Sequence, residues 1–208
     1  MNLNSFNLGN SFQRPSIWQF RTYDALVLSL IVGWSCLMLA WTVLRGVRHD
    51  YVAYLGQWLL VREFANPWFG DNTYGPLHNV LAFFAVPNEL GPKSFMTTAF
   101  ITVNFLLLKS LLATRPNTKS LLAYAIFVPL NFLVISIVFS YGLNDSLVAA
   151  LIGLGILARF RNRFILCGVF LGLAVLLKYY PALLIPFFCL NARQFNWRLL
   201  VSSLSTML

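Results

Sequence analysis

The chain alternates long apolar runs with short polar turns. The first run, "ALVLSLIVGWSCLMLAWTVL" at 25–44, holds twenty residues without a charge, about what an α-helix needs to cross a ~30 Å hydrocarbon core. Such a span has to be helical, because every backbone donor and acceptor must find its partner inside the segment. Further apolar runs cover 95–113, 121–139, 146–158, 164–177 and 180–190. Several are short for a span, which implies thin local membrane or polar ends put to another use. The last run, from Leu199 to Leu208, has ten residues and is too short to cross, so later spans are expected beyond it. The stretch "LHNVLAFFAV" at 77–86 carries His78 and Asn79 and is closed by Pro87. It is expected to lie in the interface or re-enter rather than cross.

This pattern predicts an all-α, polytopic transmembrane helical bundle. A lead of 1–23 is expected on the cytoplasmic side, followed by a membrane module over 24–208 in which 46–92 form an outer loop with interfacial helices. The composition agrees: 59% hydrophobic, 16% aromatic, 10% charged and a mean hydropathy of +0.72 give more apolar surface than one soluble core of this length buries. The first run is longer than a signal-peptide core and lacks a small-x-small site after it, so a retained signal-anchor is expected. Cys36, Cys167 and Cys189 all sit in apolar runs and read as small hydrophobes, not as a disulfide or metal framework.

Charge supplies orientation. The formal charge of +9 is scattered between apolar runs rather than striped along a soluble face, so nucleic acid is not an expected partner. Arg159, Arg161 and Arg163 form one basic turn, Lys109, Arg115 and Lys119 a second, Arg193 and Arg198 a third, and each is expected in the cytoplasm. With 77–86 not crossing and the N-terminus inside, ten of the fifteen Lys and Arg lie inside and five of the six acids outside. With 77–86 crossing and the N-terminus outside, eleven lie inside, so charge alone does not decide. The first arrangement brings the Asp50 loop, the "YGLND" turn and the "KYYP" turn to one face, and that convergence favours it.

Three groups could carry chemistry. Asp50 lies just past the end of the first span, in a loop with Tyr51, Tyr54, Trp58, Trp68 and Tyr74. An aromatic belt with one solvated acid explains that composition as readily as a catalytic loop does. Asn144 and Asp145 stand at the mouth of a predicted helix, where capping is the simple explanation. Lys178 follows fourteen uncharged residues and either snorkels to the interface or holds a phosphate. The Gly168-x-x-x-Gly172 pair reads as close helix packing.

In order, "HDYVAY", "NPW", "YGPL", "YGLND", a basic turn and "GVFLGLAVLLKYYP" resemble the membrane glycosyltransferases of the GT-C superfamily, in their polyprenyl- or dolichyl-phosphate-mannose-dependent branch. The likeness covers roughly 45–190. The chain departs from it in having a single acid at position 50 instead of an acid pair, and Leu143 where Gln is common. The resemblance implies transfer of a hexose, mannose first, from a polyprenyl-phosphate-linked sugar to a glycan or glycolipid acceptor. The reaction would run at the outer face of a bacterial inner membrane. It implies Asp50 as general base in an inverting displacement, Lys178 as the cation facing the departing phosphate, and Asn144, Asp145, Tyr74, His78 and His49 as lining groups. No cofactor or metal is expected; the lipid-phosphate sugar is a co-substrate and membrane lipids are the surroundings. A transporter or lipid flippase, in which Pro129 with Asn131 and Asn144 with Asp145 line a path, and a non-catalytic membrane scaffold remain the alternatives.

Overall fold

The computed structural model describes residues 22–48, 50–66, 74–85, 89–114, 118–191 and 194–208. Helix α1 (Thr22–Arg45) contains the first apolar run. A 73° bend separates it from α2 (Asp50–Arg62), so α2 turns away from the direction of α1. A five-residue helix, α3 (Pro76–Val80), continues as a 3₁₀ turn (Leu81–Ala85). Helix α4 (Gly91–Ala113) then leads to α5 (Thr118–Phe127), which a turn at 128–131 joins to α6 (Phe132–Val134) and a π-helical stretch (Ile135–Tyr141). Helices α7 (Asp145–Phe160) and α8 (Phe164–Leu177) form an antiparallel pair. After a 3₁₀ turn (Tyr180–Leu184) come α9 (Ile185–Cys189), a two-residue hairpin of β1 (Leu190–Asn191) and β2 (Gln194–Phe195), and α10 (Trp197–Met207).

The protein is an all-α membrane protein. Two stretches, Gly91–Ala113 and Lys119–Tyr141, are long and apolar enough to cross a bilayer, and α1 with α2 make a third, bent candidate. Leu30, Leu37 and Val43 on α1 and Phe127, Phe132 and Leu133 on the second stretch are exposed, a surface suited to lipid and not to water. The break at 128–131 has local causes. Pro129 offers no N–H, and Asn131 caps the next turn, its Oδ1 accepting from the Leu133 N–H at 2.8 Å.

The described stretch 77–85 is too short to cross a bilayer. One α-turn and one 3₁₀ turn of five residues each reach roughly 18 Å at most, short of the ~30 Å core. Both ends also lie at the same end of the bundle. At the entrance the Gly75 N–H donates to Leu177 O at the end of α8 (3.0 Å). At the exit Lys93, near the start of α4, donates from Nζ to Gly46 O just past α1 (2.8 Å).

Helix α8 is the packing centre. Cys167, Leu171 and Val175 bury against Ala158, Ile185, Cys189 and Leu199, so two of the three cysteines are core hydrophobes, whereas Cys36 is exposed. The Gly168–Gly172 pair does pack closely: a Cβ on Gly168 would run into Ser202 and lie 2.5 Å from Leu199 O, and one on Gly172 would lie 2.7 Å from Thr206 Cβ. The pairing of Gly168 with 199–202 and Gly172 with 203–206 makes α10 parallel to α8, pressed against its small-residue stripe. The α4–α5 and α7–α8 turns, with Lys109, Lys119, Arg159, Arg161 and Arg163, thus fall at the end away from 46–62, 140–145 and 178. Arg198 joins Arg163 there, lining one cleft. Arg115 and Arg193 lie outside the described residues.

Candidate active site

The site end is built on an aromatic ladder. In "DYVAYLGQW" the aromatic residues fall at i, i+3 and i+7, one face of a helix, and Tyr51, Tyr54 and Trp58 are fully buried on α2. Their rings contact one another at centroid separations of 5.6–6.1 Å. Tyr54 also meets Tyr74 (4.9 Å) and His78 (4.7 Å) edge-on. This face explains the aromatic richness of the loop: the rings are the core that seats α2 on the bundle.

Polar groups thread the ladder. The Tyr54 hydroxyl donates to Asn144 Oδ1 (3.2 Å), and Asn144 Nδ2 lies 3.3 Å from His78 Nδ1. With the Asn144 oxygen taking the tyrosine proton, its amide donates to Nδ1, which places the ring proton of a neutral His78 on Nε2. That nitrogen is buried and has no hydrogen-bond partner among the described residues. His78 stays neutral because burial, and secondarily the charge on Lys178, lowers its pKa from 6.5 to about 3. Trp58 Nε1 donates to His78 O (3.0 Å). Burial holds the hydroxyls of Tyr51 and Tyr54 protonated, well above the usual tyrosine range.

Above this floor sits an ion pair. Lys178 Nζ donates to Asp145 Oδ2 at 2.8 Å, both side chains about a quarter exposed, and the Tyr180 hydroxyl donates to Asp145 Oδ1 at 3.2 Å. The ammonium also lies 5.5 Å from the centroid of the Tyr74 ring, within cation–π range. Asp145 opens α7, where a negative charge complements the helix dipole. The "YGPL" and "KYYP" segments are fastened together at Gly75: besides its N–H bond to Leu177, a Cβ there would run into the Leu176 carbonyl.

Of the expected residues, the structure brings Lys178, Asp145, Asn144, Tyr74 and His78 into one cluster. His49 lies outside the described residues. Asp50 starts α2, one turn and about 6 Å along the axis before Tyr54. Its side chain is exposed, and it makes no hydrogen bond or ion pair with another described residue. Lys178 pairs with Asp145, not with Asp50.

Sequence reasoning missed Lys93. It is fully buried, and its Nζ donates to Gly46 O and to Ser140 O (3.0 Å). Its backbone N–H donates to the Tyr51 hydroxyl (3.1 Å), which in turn donates to Glu89 O (2.6 Å). The lysine stem runs over Gly142, whose φ of +67° and lack of Cβ make room for it. Lys93 thus ties the α1–α2 turn and α2 itself to the "YGLND" turn. The signal was a lysine inside the first turn of an apolar helix, which counted only as one more outer charge. Among the described residues no group of three or more His, Cys, Asp or Glu side chains is placed to hold a metal.

The sequence model described as Glycosyltransferase family 87 matches residues 72–208, roughly two-thirds of the chain. The match takes in Tyr74, His78, Asn144, Asp145 and Lys178 and begins after Asp50. Neither a curated protein nor a solved structure matches the chain.

Proposed function

Because the chain belongs to glycosyltransferase family 87, we propose that it moves a hexose, mannose first, from a polyprenyl-phosphate carrier to a hydroxyl of a glycan or glycolipid at the extracytoplasmic face of a bacterial inner membrane. The resemblance to the GT-C superfamily supports the lipid-linked donor. The basic turns gathered at the opposite end support the sidedness.

The observation that carries the reading is the convergence, at one end of the bundle, of the start of α2, Tyr74, the Asn144–Asp145 turn and Lys178. A donor whose phosphate rides at headgroup depth needs its reacting groups at that depth. In the proposed step an acceptor oxygen attacks the anomeric carbon and its proton passes to Asp50. The bond from the anomeric carbon to the phosphate oxygen breaks with its electron pair leaving on the phosphate, and the configuration inverts. Asp50 suits the base role better than Asp145, because both Asp145 oxygens are already engaged by Lys178 and Tyr180. Lys178 has three N–H donors, and the bond to Asp145 uses one, so two remain for a phosphate whose charge grows as it departs.

The test is transfer of labelled sugar from a polyprenyl-phosphate-hexose in membranes carrying Asp50→Asn. A loss of ~10² to 10⁴-fold with normal expression and insertion is expected of a missing general base. Transfer at the wild-type rate rejects the mechanism, and absence of transfer by the wild-type chain with any such donor rejects the donor class.

A further inference from the structure

At the end of the bundle away from the site, an open cleft of about 270 Å³ is lined by Asn162, Arg163, Phe164, Ile165, Leu166 and Arg198. The geometry points to this cleft as a seat for the phosphate of an anionic phospholipid headgroup, with the acyl chains lying along Ile165 and Leu166.

Arg163 and Arg198, 35 positions apart in sequence, both line the cleft. A planar guanidinium donates two parallel N–H bonds to phosphate oxygens, which makes it the side chain best shaped for that group. Arg159 adds a third positive charge, its guanidinium carbon 5.0 Å from the centroid of the Phe164 ring. Neither Arg163 nor Arg198 forms an ion pair with a described residue, and the Asp50, Glu89 and Asp145 carboxylates belong to the other end.

The cleft also opens on the start of α8. That helix has fourteen residues, and its N-cap residue, Arg163, supplies no side-chain cap. The α8 N-terminus thus has no cap from that side chain, and the helix dipole there favours an anion. Helix α10 differs, because Asn196 caps it by accepting from the Leu199 N–H at 3.1 Å. Ile165 and Leu166 beside the cleft are 60% and 42% exposed, and apolar surface next to a phosphate site fits a lipid better than a free anion. Membrane orientation needs only an excess of positive charge in a turn. It does not need arginines from the α7–α8 turn and from α10 to share one cleft. A phosphate held between them would fix α10 along α8, whose far end carries Lys178.

The experiment uses the full chain solubilised in a neutral detergent, with dioctanoyl phosphatidylglycerol titrated against the thermal unfolding midpoint. Phosphatidylcholine of the same chain length, inorganic phosphate and the exposed-arginine variant Arg48→Gln at the other end are the controls. We expect phosphatidylglycerol to raise the midpoint and phosphatidylcholine and inorganic phosphate to leave it unchanged. Arg163→Gln with Arg198→Gln should weaken the apparent affinity at least about tenfold, as loss of charge-assisted hydrogen bonds implies. Its midpoint without lipid should stay at the wild-type value, and Arg48→Gln should respond as wild type. Three results would each overturn the inference: undiminished affinity in the double variant, an equal response to phosphatidylcholine, or an equal response to inorganic phosphate, which would mark a free-anion site.

Discussion

Gly75→Ala tests whether the clamp between the "YGPL" and "KYYP" segments sets the geometry of the site. The backbone at Gly75, φ −71° and ψ 167°, is one that alanine adopts freely, so no conformational strain enters. The obstacle is steric, because the new methyl would run into the Leu176 carbonyl and sit 3.3 Å from the Leu177 carbonyl carbon. A backbone carbonyl cannot rotate aside as a side chain can, so α3 has to back away from α8 by about 1 Å, and the Gly75 N–H bond to Leu177 O stretches or breaks. Overpacking of this kind costs roughly 1–3 kcal/mol, and the lost hydrogen bond about 1 kcal/mol more. Tyr74 and His78, on either side of the clamp, would move relative to Lys178 and Asn144, and a displacement near 1 Å can cost about 10²-fold in rate. The assays are sugar transfer in membranes and the thermal midpoint of the solubilised protein. Gly56→Ala on α2 is the matched control, since a Cβ there meets nothing within 4 Å, and it should be neutral or stabilise by up to roughly 1 kcal/mol. If Gly75→Ala transfers within threefold of wild type and melts with it, the clamp has no part in shaping the site.

Lys178→Met and Asp145→Asn should each lower transfer at least about tenfold while changing stability by less than ~1 kcal/mol, because a partly exposed pair contributes little to folding. Transfer by Lys178→Met within twofold of wild type would remove that lysine from the reaction. His78 has its pKa lowered from 6.5 to about 3 in the folded protein. Its contribution is fully present above pH 6.5 and is lost as the pH falls from there toward 3, where the unfolded chain takes up the proton first. Thermal midpoints measured at pH 7, 6 and 5 should fall in that order, and His78→Phe should flatten the part due to this ring; an identical slope in the variant would refute the assignment. Single cysteines at Asp50 and Tyr180, both exposed, should react with an impermeant thiol reagent in intact cells of a cysteine-free background, while one at Arg161 should be protected. Reversal of that pattern would turn the proposed orientation over.

The helical nature of most apolar runs and the basic turns were legible in the sequence because each depends on local composition: the twenty uncharged residues at 25–44 lie within α1, and two later stretches are long and apolar enough to cross a bilayer. The convergence of the three polar segments was legible as an inference from topology. The Gly168–Gly172 stripe was also readable, since spacing alone places both glycines on one face. Pairings were not. Whether Lys178 meets Asp50 or Asp145 depends on how α7 and α8 lie side by side, a matter of packing between residues 33 positions apart. The Tyr54–Asn144 bond spans 90 positions, and Lys93 is a structural tie only because Gly46, Ser140 and Gly142 close around it. Hydrophobic patterning decides which segments enter the membrane, since transfer from water is paid residue by residue. Which polar side chains then satisfy one another depends on distances between helices, and those exist only once the bundle has packed.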